Sequence, residues 1–174
     1  PRRPPRSTRC TSRRQRQMCI RDRFVPVYFR KEWTIWKKVD EGGGFEGAWD
    51  TEAEAIQAFK ERELNDNYEI VDMAQHFGII VHENRAPEEI VISMSKSKMK
   101  VNRQLNTLVK MAGGDRFSRV YTIKAVPDQN KEGQDYYNFG VSMKGFVSEP
   151  LYRAAEKMYE SISKGVKDVN RDVE

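Results

Sequence analysis

The feature that most restricts the fold is a change of period in the middle of the chain. Glu89–Met94 (EIVISM) reads as a short strand, after which Val101, Leu105, Leu108 and Ala112 recur at i, i+4, i+7 and i+11, one face of a helix. Ser95 or Ser97 is placed to cap that helix and Gly113-Gly114 to end it. Phe117–Val126 and Tyr136–Phe146 then return to extended chain, joined by a polar loop containing Pro127 and Gly133. Extended runs flank one helix without the strand–helix alternation of a doubly wound protein. Nothing in this periodicity suggests a parallel βαβ sheet.

The remaining segments fit around this centre. Phe24–Lys38 alternates as a strand, with Val25, Val27, Phe29, Trp33 and Ile35 on one face and Tyr28, Arg30, Trp36 and Lys38 on the other. Lys31 interrupts the apolar face and marks an expected bulge, and Pro26 gives the strand an edge-like start. Gly42-Gly43-Gly44 forms a turn. Thr51 and Glu54 make a capping box for a short acidic helix carrying Ala55, Ile56 and Phe59. Tyr68–His82 is extended with Phe77, Ile79 and Val81 inward, and Asn84–Pro87 turns the chain. Ser148 caps a last helix with Leu151, Ala155, Met158 and Ile162 in register, closed by Gly165.

The order strand, acidic helix, strand, strand, helix, strand, strand, helix predicts an α+β, mainly β domain over residues 24–165, with 166–174 a frayed tail. A helix between the third and fourth strands of a small five-stranded set is the arrangement of an OB-fold-like antiparallel barrel, here missing its first strand. The alternative is an open antiparallel sheet backed by two helices.

Charge needs to be apportioned before it is interpreted. The 174 residues hold 31 Lys and Arg against 26 Asp and Glu, but Pro1–Arg23 alone carries nine arginines and one acid. Taking 9 from 31 and 1 from 26 leaves 22 against 25, so the rest of the chain is mildly acidic. The first 23 residues have too little apolar surface to offset the entropy of ordering them, and read as a basic arm outside the domain. Their end, MCIRDR, resembles a translated transposon-end adapter of the kind used in sequencing libraries, which would make the segment a scar. Both cysteines, Cys10 and Cys19, fall within it, so the domain has no disulfide framework, cysteine nucleophile or thiolate metal site. Within the domain, Asp40–Glu69 carries ten acids against Lys60 and Arg62, whereas Ser95–Lys124 carries eight cations against Asp115 alone. An acidic protein with one concentrated basic stretch can still present a basic face.

Few residues suggest catalysis. The Gly42–Gly47 stretch lacks the Gly-Lys-Ser/Thr of a phosphate loop. His76 and His82, six apart on one strand, would sit about 20 Å from one another at ~3.3 Å per residue, too far to share a metal. Glu88 and Glu89 point to opposite sides of any strand and make no acid/base couple. The expectation is a protein that is not an enzyme, with no cofactor and no metal. No run approaches the ~20 apolar residues of a membrane span, and a cytoplasmic setting follows by default. What stands out is aromatic and basic residues interleaved on strand faces: Tyr28, Arg30, Trp36 and Lys38 on the first, and Tyr136, Lys144 and Phe146 on the last. Aromatics that stack bases beside cations that follow phosphates hold single strands without reading sequence. Aromatics in strands are usually core, and either face could be the buried one, so the pattern alone favours core over binding.

The segments VPVYFRKEWTIW, HFGIIV, ISMSKSKMKVNRQLN, RVYTIKAV and YYNFGVSMKGFVSEPLYRAAEKMYESISKG, spanning Phe24 to Gly165, resemble a family of small tailed-phage proteins associated with single-stranded-DNA binding in replication and recombination. The most specific part is Lys96-Ser97-x-x-Lys100-x-x-Arg103-x-x-Asn106. Two departures stand out: family members carry further residues and a strand ahead of VPVYF, and the acidic Glu41–Leu64 stretch differs. The resemblance implies phosphate contacts at Lys96, Lys100 and Arg103, near a helix start that favours anions. It implies stacking at Tyr28, Trp36, Tyr121 and Tyr136, and further backbone contacts at Arg30, Arg116, Arg119 and Lys144, with Lys38 beside them. The implied partners are single-stranded DNA and phage replication or recombination proteins, in the cytoplasm of an infected bacterium. The alternative is a non-catalytic phage scaffold or protein-interaction module.

Overall fold

The computed structural model describes residues 22–82, 85–129 and 133–165. The expectations for all but the end of the arginine-rich segment, and for the 166–174 tail, lie outside the described residues. Strands β1 (Asp22–Lys37), β2 (Gly44–Trp49), β3 (Tyr68–Val81), β4 (Glu88–Ser95), β5 (Arg119–Gln129) and β6 (Asp135–Phe146) form one antiparallel sheet. Its order is β4-β3-β1-β5-β6, with β2 paired to β1 off that path. Helices α1 (Glu52–Glu61), α2 (Met99–Ala112) and α3 (Glu149–Ser163) complete the fold, with single 3-10 turns at Val39–Glu41 and Lys96–Lys98.

β1 organises the sheet. Along one side it pairs with β3 over nearly its whole length; on the other it meets β5 at Asp22–Phe24 and β2 at Trp33–Lys37. Phe24 and Val25 are neighbours in the strand, point to opposite faces and are both fully buried. On the first face Phe24 packs with Ala74, Met94, Tyr121, Ile123, Val141 and the α2 residues Val101 and Leu105. On the second, Val25 packs with Val27, Phe77, Ile79, Phe117 and the α3 residues Ala155, Met158 and Ile162. The helical stripes read from the sequence are therefore the buried ones, and the helices cover opposite faces of the sheet.

The α+β class and the open antiparallel sheet hold; the OB-fold-like barrel does not form. The edge strands β4 and β6 are not paired with each other. α2 contacts both of them, and Gln104 Nε2 donates to the Val141 carbonyl of β6 at 3.2 Å. Apolar surface that barrel closure would bury is buried under α2 instead.

Three local expectations also change. The irregularity in β1 falls between Pro26 and Tyr28, not at Lys31. The extra residue puts Tyr28 on the same face as Val25 and Val27, where it packs edge-on against Phe77. Lys31 stays exposed, ion-paired to Asp72 at 3.3 Å and lying over the Trp33 ring. The glycine-rich turn is followed by a strand, β2, which the sequence hid because Gly44 and Gly47 break its alternation. In α1 the Thr51–Glu54 capping box is present, but Ala55 and Ala58 are the buried positions and Ile56 is exposed.

Candidate nucleic-acid interface

α2 carries the basic stretch because its sequence divides cleanly by face. Val101 and Leu105 are buried, Leu108 packs beside them, and Lys100, Arg103 and Lys110 are exposed. Ser95–Gly114 contains no acidic residue, so nothing within the helix neutralises these cations. Among the described residues none of the three forms an ion pair. The acidic stretch lies elsewhere: β2 pairs with the Trp33–Lys37 end of β1, α1 packs on both, and α2 packs over Phe24 and Phe29. From Phe29 to Trp33, where the two regions come nearest along β1, is roughly 13 Å at ~3.3 Å per residue, a little beyond a Debye length of about 8 Å. The two charge regions meet at Lys96, whose Nζ lies 2.6 Å from Glu69 Oε1. Lys96 has φ 49°, left-handed for a side chain that rarely adopts it, at the turn from β4 into the helix.

Beneath α2 is a buried polar network. His76 is fully buried on β3, and its Nε2 lies 2.8 Å from Asn102 Oδ1. Arg116 Nη2 lies 3.0 Å from His76 Nδ1 and donates to Asn106 Oδ1 at 2.8 Å; Asn106 Nδ2 donates to Asn102 Oδ1 at 2.9 Å. A guanidinium has only donors, so Nδ1 must accept and the proton sits on Nε2. Burial, outweighing the Asn102 hydrogen bond and reinforced by the Arg116 charge, lowers the His76 pKa to about 4. Burial likewise lowers Arg116 to about 10. The guanidinium lies over the Phe29 ring, 5.3 Å from its centroid.

The residues expected at a binding surface separate into several places. Lys100 and Arg103 stand on the exposed face of α2. Arg116 lies in the buried network, so it braces the sheet under α2. Tyr121 is fully buried in the α2 core, leaving no ring face for a base; burial raises its pKa, and its hydroxyl has no hydrogen-bond partner among the described residues. Tyr28 is half-buried between Phe77 and Tyr159 on the α3 face. Arg30 is on that face too, donating to Gln75 Oε1 at 3.2 Å beside the buried Glu32, with its guanidinium over Phe77. Trp36 packs against Phe45 and donates its indole N–H to Thr34 Oγ1 at 2.9 Å. Lys38 is exposed next to Asp40 and Glu41, at the acidic end. Tyr136 donates to Asp128 Oδ2 at 2.9 Å, which raises its pKa; hydrogen bonds from Asn138 and then Tyr136 hold Asp128 below the usual range.

On β6 the alternation expected for Tyr136, Lys144 and Phe146 is broken. Tyr121 pairs with Met143 and Val120 with Gly145, so Lys144 is the extra residue of a bulge. Phe146 then stands opposite Arg119, whose guanidinium carbon is 3.4 Å from the ring centroid. Lys144 is exposed beside this pair. The sequence places Phe146 in the aromatic and basic pattern without singling it out as a site, and the His76–Asn102–Asn106–Arg116 network is not visible in it. Its trace there is two asparagines four apart on the apolar side of α2.

Among the described residues no group of three His, Cys, Asp or Glu converges as metal ligands would, and no helix is long and apolar enough to cross a membrane. Searches of curated proteins and of solved structures return no match. Residues 18–168 match the family model described as Pam3 phage gp34-like protein, a span that takes in every strand and helix above. On that match, the chain belongs to the Pam3 phage gp34-like family.

Proposed function

We propose that this phage-family protein binds single-stranded DNA with little sequence preference, in phage DNA replication or recombination, and that it does so without catalysis. The observation that carries the reading is the outer face of α2: Lys100, Arg103 and Lys110 exposed, in twenty residues free of acid, with the Asp128 carboxylate of β5 near enough to Lys100 to feel its charge. Cations that follow a phosphate backbone release its counterions, which favours association irrespective of base sequence. Segregation of the acidic β2–α1 end gives the DNA one favourable side to approach. The stacking half of the reading no longer rests on Tyr28, Trp36 or Tyr121, whose rings are occupied by packing.

The test is a salt titration of oligothymidylate binding by the full chain and by a Lys100→Ala/Arg103→Ala variant. Each phosphate contact contributes about 0.7 to the slope of log K against log salt for single strands, so losing two should lower it by roughly 1.4. The arginines of the first 23 residues are common to both proteins and cancel in the difference. An unchanged slope would remove α2 from the interface. No affinity at low salt would replace this reading with the phage scaffold, for which the exposed Tyr137, Met143 and Phe146 of edge strand β6 would be the contact.

A further inference from the structure

We propose that Phe146, backed by Arg119, is a nucleobase-stacking platform; this rests on the single-stranded-DNA reading and supplies a fully presented ring where Tyr136 is only half-exposed. Phe146 is 75% exposed, and one side of its ring is already covered by the Arg119 guanidinium at 3.4 Å. The other exposed aromatics differ. Tyr159 leans on Tyr28 and Phe117, and Tyr137 has no cation behind its ring among the described residues. The remaining cation–π pairs involve rings that are buried or half-buried.

The backbone on either side of the pair is held by the ladder. Arg119 and Phe146 are directly opposed partners at the end of the β5–β6 ladder, and Val147 N–H donates to the Ser118 carbonyl at 3.2 Å just beyond them. Arg119 Nε is buried without a hydrogen-bond partner, so ring stacking rather than an ion pair holds the guanidinium. An arginine stacked on one side of a ring strengthens a base stacked on the other, because the cation draws on the ring's electron-rich face. The position also suits the ligand. The extra residue of the bulge lies in β6, so β5 alternates without interruption and Arg119 shares the face of Tyr121, the face that α2 covers. A strand following the α2 cations therefore reaches the platform without crossing the sheet, and exposed Lys144 lies beside it.

The experiment uses the full chain and oligothymidylate. Phe146→Ala should weaken binding roughly tenfold to a hundredfold with the salt slope unchanged, since stacking releases few counterions. Phe146→Trp should keep wild-type affinity and show fluorescence quenching on DNA addition beyond that of the wild type, whose Trp33, Trp36 and Trp49 are half-buried against Lys31, Phe45 and Arg62. Salt-dependent wild-type binding with equal affinity in Phe146→Ala and no added quenching in Phe146→Trp would overturn the platform and leave the DNA reading standing. No wild-type binding at all would overturn both.

Discussion

Acidification from pH 7 to pH 5 should destabilise this protein through a single histidine. His76 is neutral in the folded state, with a pKa of about 4, and titrates near 6.5 when the chain unfolds. The unfolded state therefore binds the extra proton first, and stability falls as pH drops from about 6.5 towards about 4. The full effect of this gap is about 3 kcal/mol, of which roughly 2 kcal/mol is lost between pH 7 and pH 5. Ordinary carboxylates, with pKa values near 4, contribute little above pH 5. At an m-value of about 2 kcal/mol per molar urea, the unfolding midpoint should move down by about 1 M. Asn102→Asp offers the internal control, since a carboxylate against Nε2 favours the imidazolium, raises the folded-state pKa and flattens the pH dependence. Equal midpoints at pH 7 and pH 5 in the wild type would refute the assignment of His76 as a buried neutral ring clamped by Arg116.

Other outcomes follow from packing and backbone geometry. Leu105→Ala should cost about 2–5 kcal/mol in urea unfolding, as truncation of a fully buried leucine does; a neutral result would displace α2 from the core. Gly78→Ala should be at least as damaging as ordinary overpacking, about 1–3 kcal/mol, because its Cβ would sit 2.4 Å from both the Phe24 ring and the Val25 carbonyl; soluble, unshifted protein would contradict that contact. Glu63 ends α1 at φ 50°, with the Leu64 N–H bonded to the Phe59 carbonyl and its own N–H to that of Lys60. This is the Schellman arrangement that prefers glycine, so Glu63→Gly should raise thermal stability by up to about 1 kcal/mol.

The fold was legible where one period ran undisturbed. The α2 stripe Val101–Leu105–Leu108 and the α3 stripe Leu151–Ala155–Met158–Ile162 needed no tertiary information, since each face has one partner to bury against. β1 was misread because a bulge at its start shifts every later residue to the other face, and the chemical cue, Lys31, pointed to the wrong place. Lys31 breaks the apolar pattern because that part of the face is open enough for it to pair with Asp72 and cover Trp33. Barrel against open sheet turns on whether β4 and β6 pair or α2 fills in. Strand count does not encode that; the packing of α2 between the two edge strands is visible only in three dimensions.

The candidate site was half legible for a related reason. Exposed cations on an amphipathic helix are fixed by the helix's own geometry, so the exposure of Lys100 and Arg103 follows from spacing, while their role as phosphate contacts is implied by the family resemblance. Aromatics are different, because a strand aromatic is equally suited to core and to surface, and the choice depends on what the sheet brings opposite it. Tyr121 meets α2 and vanishes into the core; Tyr28 meets Phe77 and α3; Trp36 meets Phe45 from a strand the sequence did not reveal. Phe146 meets the Arg119 guanidinium, and it does so because Lys144 bulges out of the ladder and resets the register by one. Phe146, more exposed than Tyr137 or Tyr159, is thus a ring whose placement depends on an irregularity. A protein that must keep one aromatic ring open to ligand at the end of a β-ladder gains from such a bulge. It re-aims the ring toward a cation that holds it, while the rest of the ladder stays paired.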